Sequence, residues 1–516
     1  MRKNLLLLAA ASLLFFSCKK NKSSNDQQSP ETVTLKSVGE IDRLIRQTLQ
    51  SKNEFNWNDA GDDVIWSAGQ QRDKMYAIGY KPAGETNVEN RLHLININNA
   101  SWKQAKEKII DIIYTEEHKT RPSLERSQVE VWPEEILPVI DVMIENYSTI
   151  QKLRATGLIR YIEPMGYEPS AIQPSVTGKI ASSSGCGSNN AEPGLVNGVH
   201  YTVTTPNALV SWNYRYHGIE QAWTKSTGSG VKVFIIDTGT SPDQANLGSG
   251  FNQGASSGRT IEKIVTLPRS TFLGIPTGPV ETPADGCGHG TSMAGACAAP
   301  RGTGGAMAGI AYNCNLVTCR AAADVYLDES RENKGVADAF TSAGNRTDVR
   351  IISMSMGRIT SSSQIKDAVT YAYNKGKAIF CAGGTSFDWS AGWFGVIFPA
   401  NMSQVQAVTG VVEGSNFSNC NECHKGAEID FVVSMQRSAD GVKPLSLAMT
   451  GNAPSTVGGS SVATASTAGM AALVWSRYPT LTRDQLIQRL IANSSRYPTK
   501  TSEYGWGLIN VNTATN

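Results

Sequence analysis

The sequence predicts an α/β protein, with a mostly parallel sheet covered by helices, preceded by a small α+β domain. Beyond about residue 206, four strand-like apolar runs predict the parallel sheet: VKVFIID, NLVTCRA, DVRIISMS and KAIFCAGG. Helical stretches alternate with these runs, which is typical of strands joined by covering helices. The length of 516 residues favours about two to three folded units over a single core.

Residues 36–167 carry a separate α+β pattern. KMYAIGYK and RLHLININ alternate like strands, and SWKQAKEKIIDIIY has the spacing of a helix. PEEILPVIDVMIENY predicts a second helix, STIQKLRATG predicts a helical turn that ends at Gly157, and LIRYIEP predicts a last strand. We therefore expect a compact domain of strands and helices here.

Linker-like segments flank this domain. Residues 168–205 are mostly rich in Ser, Gly, Pro and Asn, so they predict a linker that leads to a second domain at 206–516. Residues 19–35 are polar and have no apolar periodicity, which predicts a flexible tether.

Residues 1–18 predict a targeting segment. Arg2 and Lys3 are followed by an apolar run from Leu5 to Phe16, which is too short to span a bilayer easily. The run ends in LLFFSC and resembles the lipobox of bacterial lipoproteins, with Cys18 as the lipidated first residue of the mature chain. The alternative is an ordinary secretory signal with an incidental cysteine. Both predict export, and the lipobox predicts attachment to a membrane of the cell envelope.

The overall composition describes a globular protein. Apolar residues make up 40% of the chain, charged residues 18%, and there are 48 glycines. A net charge of +2 gives no sign of the concentrated basic face that binding to nucleic acid needs. We therefore expect no nucleic-acid partner.

Eight of the nine cysteines remain once Cys18 is set aside, and an even number in an exported protein indicates disulfides. Spacing alone makes Cys314 and Cys319 the first local pair to consider. Cys297 and Cys381 lie in apolar segments and are equally compatible with buried thiols.

An acid, a base and a nucleophile each lie in a glycine-flanked segment. Asp237 ends the buried strand VKVFIID, His289 lies in GCGHGTSMAG, and Ser461 opens the small-residue helix SSVATASTAG. A serine hydroxyl needs a base to remove its proton, and an acid to hold that base in one tautomer. The helix amino terminus also favours an oxyanion beside the serine. Together these residues predict nucleophilic catalysis.

The order Asp, His, Ser differs from that of chymotrypsin-like enzymes and of α/β-hydrolases. From about residue 206 to 513 the chain resembles the subtilisin-like serine proteases, the subtilases. The segments that carry the resemblance are VKVFIIDTG, GHGTSMAG, IISMSMG, KAIFCAGG, GSSVATASTAG and YGWGLINV. The resemblance implies a three-layer subtilisin-like fold and a serine endopeptidase that cleaves polypeptides through an acyl-enzyme.

The resemblance also implies roles for individual residues. Asp237 would orient the imidazole, His289 would act as general base and then general acid, and Ser461 would attack the carbonyl. Ser460 is not the nucleophile, because only Ser461 holds the family's place two residues before the alanine of SVA. The backbone of Ser355, Met356 and Gly357 would pair with an extended peptide. These residues would also line the pocket for the peptide residue just before the scissile bond.

Residues 36–167 resemble a subtilase propeptide with a βαββαβ-like order, mainly in IQKLRATGLIRYIEP. The propeptide would be a partner of the catalytic domain, first helping it fold and then blocking its cleft. Maturation would cut within about 166–200.

Gly384 departs from the family pattern. Subtilases place an asparagine there, whose amide donates to the oxyanion, and glycine has no side chain to donate. Thr385, Ser386 or a water would have to substitute. The glycine at 384 therefore leaves a second hypothesis open, in which the chain is a pseudoprotease or binding protein with the subtilase fold.

Two further motifs bear on cofactors. The loop PRGTGGA at 300–306, where many relatives bind calcium, has no acid or asparagine, so we expect no metal there. Residues 420–424 spell CNECH, the pattern of c-type haem attachment. The subtilase-like flanks favour a loop held by a disulfide or a metal-free turn instead, so we expect no cofactor.

Overall fold

The structure is a computed structural model, and it describes residues 33–169, 186, 189–384, 395–414 and 416–516. The targeting segment with Cys18, nearly all of the tether and part of the linker lie outside the described residues, as do Thr385 and Ser386. Residues Leu35–Asn516 form one compact unit. The domain boundaries named above stay predictions.

The N-terminal domain, by which we mean the elements from Val38 to Pro164, is an antiparallel sheet with helices. Its elements in chain order are α1 (Val38–Lys52), α2 (Asp62–Gln70), β1 (Met75–Tyr80), α3 (Val88–Arg91), α4 (Ala100–Glu117), β2 (Glu130–Trp132), β3 (Val139–Met143), α5 (Tyr147–Arg154) and β4 (Ile159–Pro164). The sheet order is β2-β3-β1-β4, with every neighbouring pair antiparallel. Apart from the short α3, the run β1-α4-β2-β3-α5-β4 follows the βαββαβ-like order predicted for this α+β domain, and the sheet order makes it ferredoxin-like.

Two elements of this domain differ from the sequence prediction. RLHLININ is not a strand, because α3 and a 3-10 turn at Leu92–Leu94 cover its first part. PEEILPVIDVMIENY is not a helix, because it contains strand β3. Pro138 disfavours a continuous helix, and the β-branched Val139, Ile140 and Val142 suit a strand paired on both sides.

The C-terminal domain is built on a seven-stranded parallel sheet, which confirms the predicted subtilisin-like α/β fold. Its strand order is β15-β14-β13-β12-β7-β11-β8, with all six pairs parallel. The strands are β7 (Lys232–Asp237), β8 (Ile261–Val265), β11 (Asn315–Arg320), β12 (Ile351–Met354), β13 (Ala378–Ala382), β14 (Gln406–Val412) and β15 (Ile429–Gln436). Within the described ranges, three two-stranded sheets lie outside it: β5 (Tyr201–Thr204) with β6 (Ala208–Ser211), β9 (Thr271–Phe272) with β10 (Ile275–Pro276), and β16 (Leu445–Leu447) with β17 (Pro454–Thr456).

Helices in this part of the chain cover the large sheet. They are α6 (Ile219–Ala222), α7 (His289–Ala298), α8 (Ser330–Asn345), α9 (Ser363–Asn374), α10 (Gly459–Arg477), α11 (Arg483–Ala492) and α12 (Val511–Ala514). Small residues let α7 approach the sheet closely, since a Cβ on Gly290 would collide with the carbonyl oxygen of Gly239. No helix in the described ranges is both long and apolar enough to cross a membrane.

The N-terminal domain packs on α8 and α9 through buried polar contacts. The Glu163 carboxylate accepts hydrogen bonds from the backbone N–H groups of Ser363 at 2.8 Å and Gln364 at 3.1 Å, so it caps the amino terminus of α9. Arg160 forms an ion pair with Asp367 at 2.7 Å, and both side chains are buried. A carboxylate at a helix amino terminus and a buried ion pair thus hold the two domains together.

Candidate active site

The acid and the base meet at the carboxyl edge of the large sheet. Asp237 is the last residue of β7, and His289 is the first residue of α7. His289 Nδ1 lies 2.7 Å from Asp237 Oδ1, and both side chains are buried. Since a carboxylate only accepts, Nδ1 carries the proton and Nε2 of the neutral ring is left as a proton acceptor.

The environment of His289 acts on its pKa in two directions. Burial favours the neutral ring and lowers the pKa, whereas the charge of Asp237 and its hydrogen bond raise it. The net result is a pKa above the ordinary value for histidine. The paired carboxylate thus stabilises the imidazolium that forms when the base takes a proton.

A second buried acid, Asp285, fixes the loop that leads into α7. Its carboxylate accepts from the backbone N–H groups of Cys287 at 3.0 Å, Gly288 at 2.7 Å and Thr291 at 2.9 Å. It also accepts from the Thr238 hydroxyl at 2.9 Å, beside Asp237. Sequence reasoning missed Asp285, although an acid four residues before His289 in a glycine-rich turn was a usable signal.

Ser461 lies in the first turn of α10, near the same edge. Its hydroxyl donates to the Ser355 carbonyl at 3.3 Å, and the Ser355 hydroxyl donates to the Ser461 carbonyl at 2.9 Å. His289 Nε2 has no hydrogen-bond partner among the described residues. In the structure the hydroxyl of Ser461, the candidate nucleophile, is therefore hydrogen-bonded to the Ser355 carbonyl and not to the base His289.

Ser460 points elsewhere. Its hydroxyl lies 3.0 Å from the hydroxyl of Thr409, and both residues are buried. This contact directs Ser460 towards strand β14.

The residues expected to receive a peptide follow β12. The Gly357 N–H donates to the Val325 carbonyl at 3.1 Å, and its carbonyl accepts from the Leu327 N–H at 3.0 Å. Both backbone groups of Gly357 are thus paired within the protein, and the side chain of Met356 is buried. A peptide can pair with Gly357 only after the segment 325–327 moves away.

Gly384 lies two residues beyond β13, and the ring of His424 fills the space beside it. A Cβ on Gly384 would stand 2.5 Å from His424 Nε2 and closer still to Cδ2 and Cγ. His424 is buried, and its Nδ1 lies 2.7 Å from the Gly395 carbonyl oxygen. No side chain fits at position 384 while His424 holds this position.

Among the described residues, disulfides join Cys186 to Cys287 and Cys420 to Cys423. The predicted Cys314–Cys319 pair was wrong, since both are buried free thiols, as are Cys297 and Cys381. Cys319 lies in β11 and Cys314 just before it. Five extended residues span roughly 16 Å, far beyond the Cα separation of about 7 Å that a disulfide tolerates.

Glu168, the first residue of the predicted linker and four residues beyond β4, reaches the segment that follows Gly357. The Glu168 carboxylate pairs with the guanidinium of Arg358, at 2.9 Å from Nε and 2.8 Å from Nη2. It also accepts from the Ile359 N–H at 2.8 Å and from the Tyr326 hydroxyl at 2.9 Å. Beyond the undescribed part of the linker, the Cys186 disulfide fixes the chain two residues before His289.

Among the described residues no cluster of three or more His, Cys, Asp or Glu side chains is arranged to hold a metal ion. The thiols of the CNECH segment are joined to each other, which is the disulfide that its flanks favoured.

The parallel sheet, with the Asp237–His289 pair at its carboxyl edge, defines a subtilisin-like α/β protein. Residues 228–507 match the Subtilase family, peptidase S8. The thermostable alkaline protease of Halalkalibacterium halodurans is 32% identical over 316 residues, 60% of this chain and 75% of the relative. Subtilisin DY of Bacillus licheniformis is 32% identical over 295 residues, 56% of this chain and 91% of the relative. The solved structure of MycP1 from Mycobacterium smegmatis matches with a TM-score of 0.44 and 22% identity, over 61% of this chain and 88% of that chain.

The chain belongs to the subtilase family, a family of serine peptidases that act on polypeptides.

Proposed function

We propose that the protein is a serine endopeptidase that hydrolyses peptide bonds through an acyl-enzyme. The observation that carries the proposal is the 2.7 Å contact between His289 and Asp237 in a subtilase chain that has Ser461 in the first turn of α10. In this proposal Asp237 orients the ring, His289 is the base and Ser461 is the nucleophile.

The reaction begins when the Ser461 side chain turns from the Ser355 carbonyl to His289 Nε2. The Ser461 oxygen then bonds to the peptide carbonyl carbon while its proton passes to Nε2. His289 returns that proton to the leaving amine as the C–N bond breaks. A water then attacks the ester carbonyl carbon while its proton passes to the same nitrogen, and Nε2 returns that proton to the Ser461 oxygen as the C–O bond breaks and the acid product leaves.

Labelling with a fluorophosphonate tests this proposal, because the probe needs an activated serine. We expect the wild type to be labelled at Ser461 and the Ser461→Ala variant to stay unlabelled. Ser460→Ala is the matched control and keeps its label, because Ser460 faces Thr409. An unlabelled wild type, under conditions that label a known subtilase, would contradict the proposal.

One observation favours the alternative, a pseudoprotease or binding protein that keeps the subtilase fold without efficient turnover. Gly384 offers no side-chain donor to an oxyanion. Labelling at Ser461 together with no hydrolysis of any peptide would decide for this alternative.

We further propose that the protein is an exported lipoprotein zymogen, anchored at Cys18, whose N-terminal domain acts as an inhibitory propeptide. The contacts of Glu168 with Arg358 and Ile359 support this, since they put the chain that directly follows that domain beside the expected peptide-binding segment. Self-cleavage within about 166–200 would separate the lipid from the catalytic domain. The Cys186–Cys287 bond makes the outcome depend on where the cut falls.

Mass spectrometry with and without a reductant tests the zymogen proposal. We expect the wild type to be cut and Ser461→Ala to keep its full length. A cut before Cys186 gives the same fragments in both conditions, whereas a cut after Cys186 leaves the fragments joined until the disulfide is reduced. The lipid mass belongs on the fragment that contains Cys18 and is absent from Cys18→Ser. An uncut wild type would contradict the zymogen proposal. A fragment that contains Cys18 but carries no lipid would contradict the lipid anchor.

A further inference from the structure

The segment expected to pair with a peptide is closed by a short stretch of chain that precedes α8. The Gly357 N–H donates to the Val325 carbonyl at 3.1 Å, and the Gly357 carbonyl accepts from the Leu327 N–H at 3.0 Å. We call residues 325–327 the closing segment, and these two hydrogen bonds the closed contact. A peptide that pairs with Gly357 needs the same two groups, so the closed contact must open before a peptide can bind there.

One buried carboxylate, that of Glu168, bonds to both sides of the closed contact. On the side of the closing segment, its Oε2 accepts from the Tyr326 hydroxyl at 2.9 Å. On the other side, the same oxygen accepts from the Ile359 N–H at 2.8 Å and the Thr360 N–H at 3.2 Å, just beyond Gly357. Glu168 is 1% exposed, so these bonds are shielded from water. The carboxylate therefore ties the closing segment to the chain that follows Gly357.

Arg358 holds Glu168 in this position. Its guanidinium contacts the carboxylate at 2.9 Å from Nε and 2.8 Å from Nη2. The same guanidinium donates to the carbonyls of Met165 at 3.0 Å and Tyr167 at 3.1 Å. One buried arginine thus holds the chain from 165 to 168 at three points, which fixes where the Glu168 carboxylate lies.

The Tyr326 hydroxyl is a donor to Glu168 near neutral pH. Burial, the charge of Glu168 and the hydrogen bond to it raise the pKa of this hydroxyl well above its ordinary value. A hydroxyl that donates to a carboxylate forms a charge-assisted bond, which is roughly twice as strong as a neutral one. The bond to Glu168 therefore adds substantially to the two backbone hydrogen bonds of the closed contact.

We propose that Glu168 is an autoinhibitory clamp that keeps the closing segment on Gly357 until the cleaved N-terminal fragment carries residue 168 away. The inference rests on the proposed endopeptidase function and describes how its peptide-binding segment is regulated. While the clamp is in place, two segments of the catalytic domain are paired with each other and exclude a peptide. Departure of the fragment removes the carboxylate that joins them, so that they can part.

The clamp also determines where the cut must fall. A cut on the amino side of Glu168 would leave the carboxylate on the catalytic domain, so the inference requires a cut after residue 168. Rare opening of the closed contact suffices for a single self-cleavage, because local opening precedes any global unfolding. Each later turnover is slowed for as long as the fragment stays bound.

Hydrogen exchange of the full-length chain tests the clamp without turnover. Every sample carries Ser461→Ala, so that no self-cleavage occurs. We expect Glu168→Ala to speed exchange of the Leu327 and Gly357 amides about 10- to 10²-fold, because a hydrogen bond to a charged group is lost. Tyr326→Phe, which removes the hydroxyl and keeps the ring, should speed the same amides about 2- to 10-fold. Mass spectrometry of peptides that contain these residues measures the rates.

Glu163→Ala is the matched control. Glu163 is a second buried carboxylate of the N-terminal domain, and it accepts hydrogen bonds from residues 362–364 at the start of α9. The control should speed exchange at the start of α9 and leave the amides of the closed contact at their rate in Ser461→Ala. Equal effects of Glu163→Ala and Glu168→Ala on the closed contact would overturn the inference, because it would then respond to any loosening between the domains.

The remaining outcomes separate the clamp from the proposed function. If Glu168→Ala does not fold, as judged by circular dichroism, Tyr326→Phe decides, and unchanged exchange at the closed contact overturns the inference. An active catalytic fragment that begins at or before residue 168 would overturn it as well. A wild type that a fluorophosphonate does not label would overturn the proposed function, and the regulatory role of the clamp with it. A labelled wild type, with exchange unaffected by Glu168→Ala, would overturn the inference alone.

Discussion

Asp237→Asn is expected to lower kcat by about 10⁴-fold, the loss that follows when the acid of a catalytic triad becomes an amide. The amide would donate its own proton to His289 Nδ1, so the ring would carry its proton on Nε2 instead. Nε2 would then have no lone pair for the Ser461 proton. Peptide hydrolysis measures the loss, with Ser461→Ala as the baseline. Asp243→Asn, at an exposed carboxylate, is the control and should keep full activity.

The same variant should change the pH dependence of the residual activity. His289 must be neutral to act as base, so activity falls as the pH drops through its pKa. The charge and hydrogen bond of Asp237 raise this pKa against the effect of burial. Asp237→Asn removes this charge, so the pKa of His289 should fall and the acid limb of the pH–rate profile should shift to lower pH. A kcat within tenfold of the wild type, or an acid limb that stays in place, would show that another group orients the ring.

The sequence was sufficient to predict the strand and helix termini that carry Asp237, His289 and Ser461, because each lies in a short motif with its own glycines. What it could not predict is the contact between segments far apart in the chain. The approach of His424 to Gly384 depends on how loop 420–424 packs on α10, and nothing in CNECH points to residue 384.

The same dependence on contacts between distant segments explains why the sequence did not predict the Cys186–Cys287 disulfide and why RLHLININ was wrongly predicted as a strand. Cys186 and Cys287 are 101 residues apart, and only the fold brings them together. In RLHLININ the apolar residues alternate as in a strand, yet Leu92 is buried and Leu94 is 72% exposed in a 3-10 turn. Alternation along the sequence shows that apolar residues would share one face of a strand. A strand forms only where a neighbouring strand is available to pair with it.

The proposed anchor makes the contact between the two domains important after cleavage. A lipid on Cys18 belongs to the N-terminal fragment, so a cut before Cys186 leaves the catalytic domain without a covalent link to the membrane. It would then be retained only by the interface that includes Glu163, Arg160 and Glu168. The strength of this interface would set both the inhibition and the location of the peptidase.

Glu168→Ala is expected to weaken this interface by about 3–5 kcal/mol, the cost of leaving a buried charge without its partner. Arg358 is 1% exposed, and without the carboxylate its guanidinium would keep neutral partners only, among them the carbonyls of Met165 and Tyr167. For a cut after residue 168, which leaves Glu168 on the N-terminal fragment, the loss corresponds to a roughly 10²- to 4 × 10³-fold weaker hold of that fragment.

Two measurements on cleaved protein check this loss: the inhibition constant of the N-terminal fragment, and the share of catalytic domain that sediments with membranes. Glu168→Ala should raise the constant and lower the share. Glu107→Ala is the control, because Glu107 pairs with Arg126 on the exposed face of the N-terminal domain. An exposed pair contributes little, so this variant should behave like the wild type. If the two variants retain the catalytic domain equally, the Glu168–Arg358 pair does not hold the domains together after cleavage, and retention depends on the contacts of Glu163 and Arg160 with α9 instead.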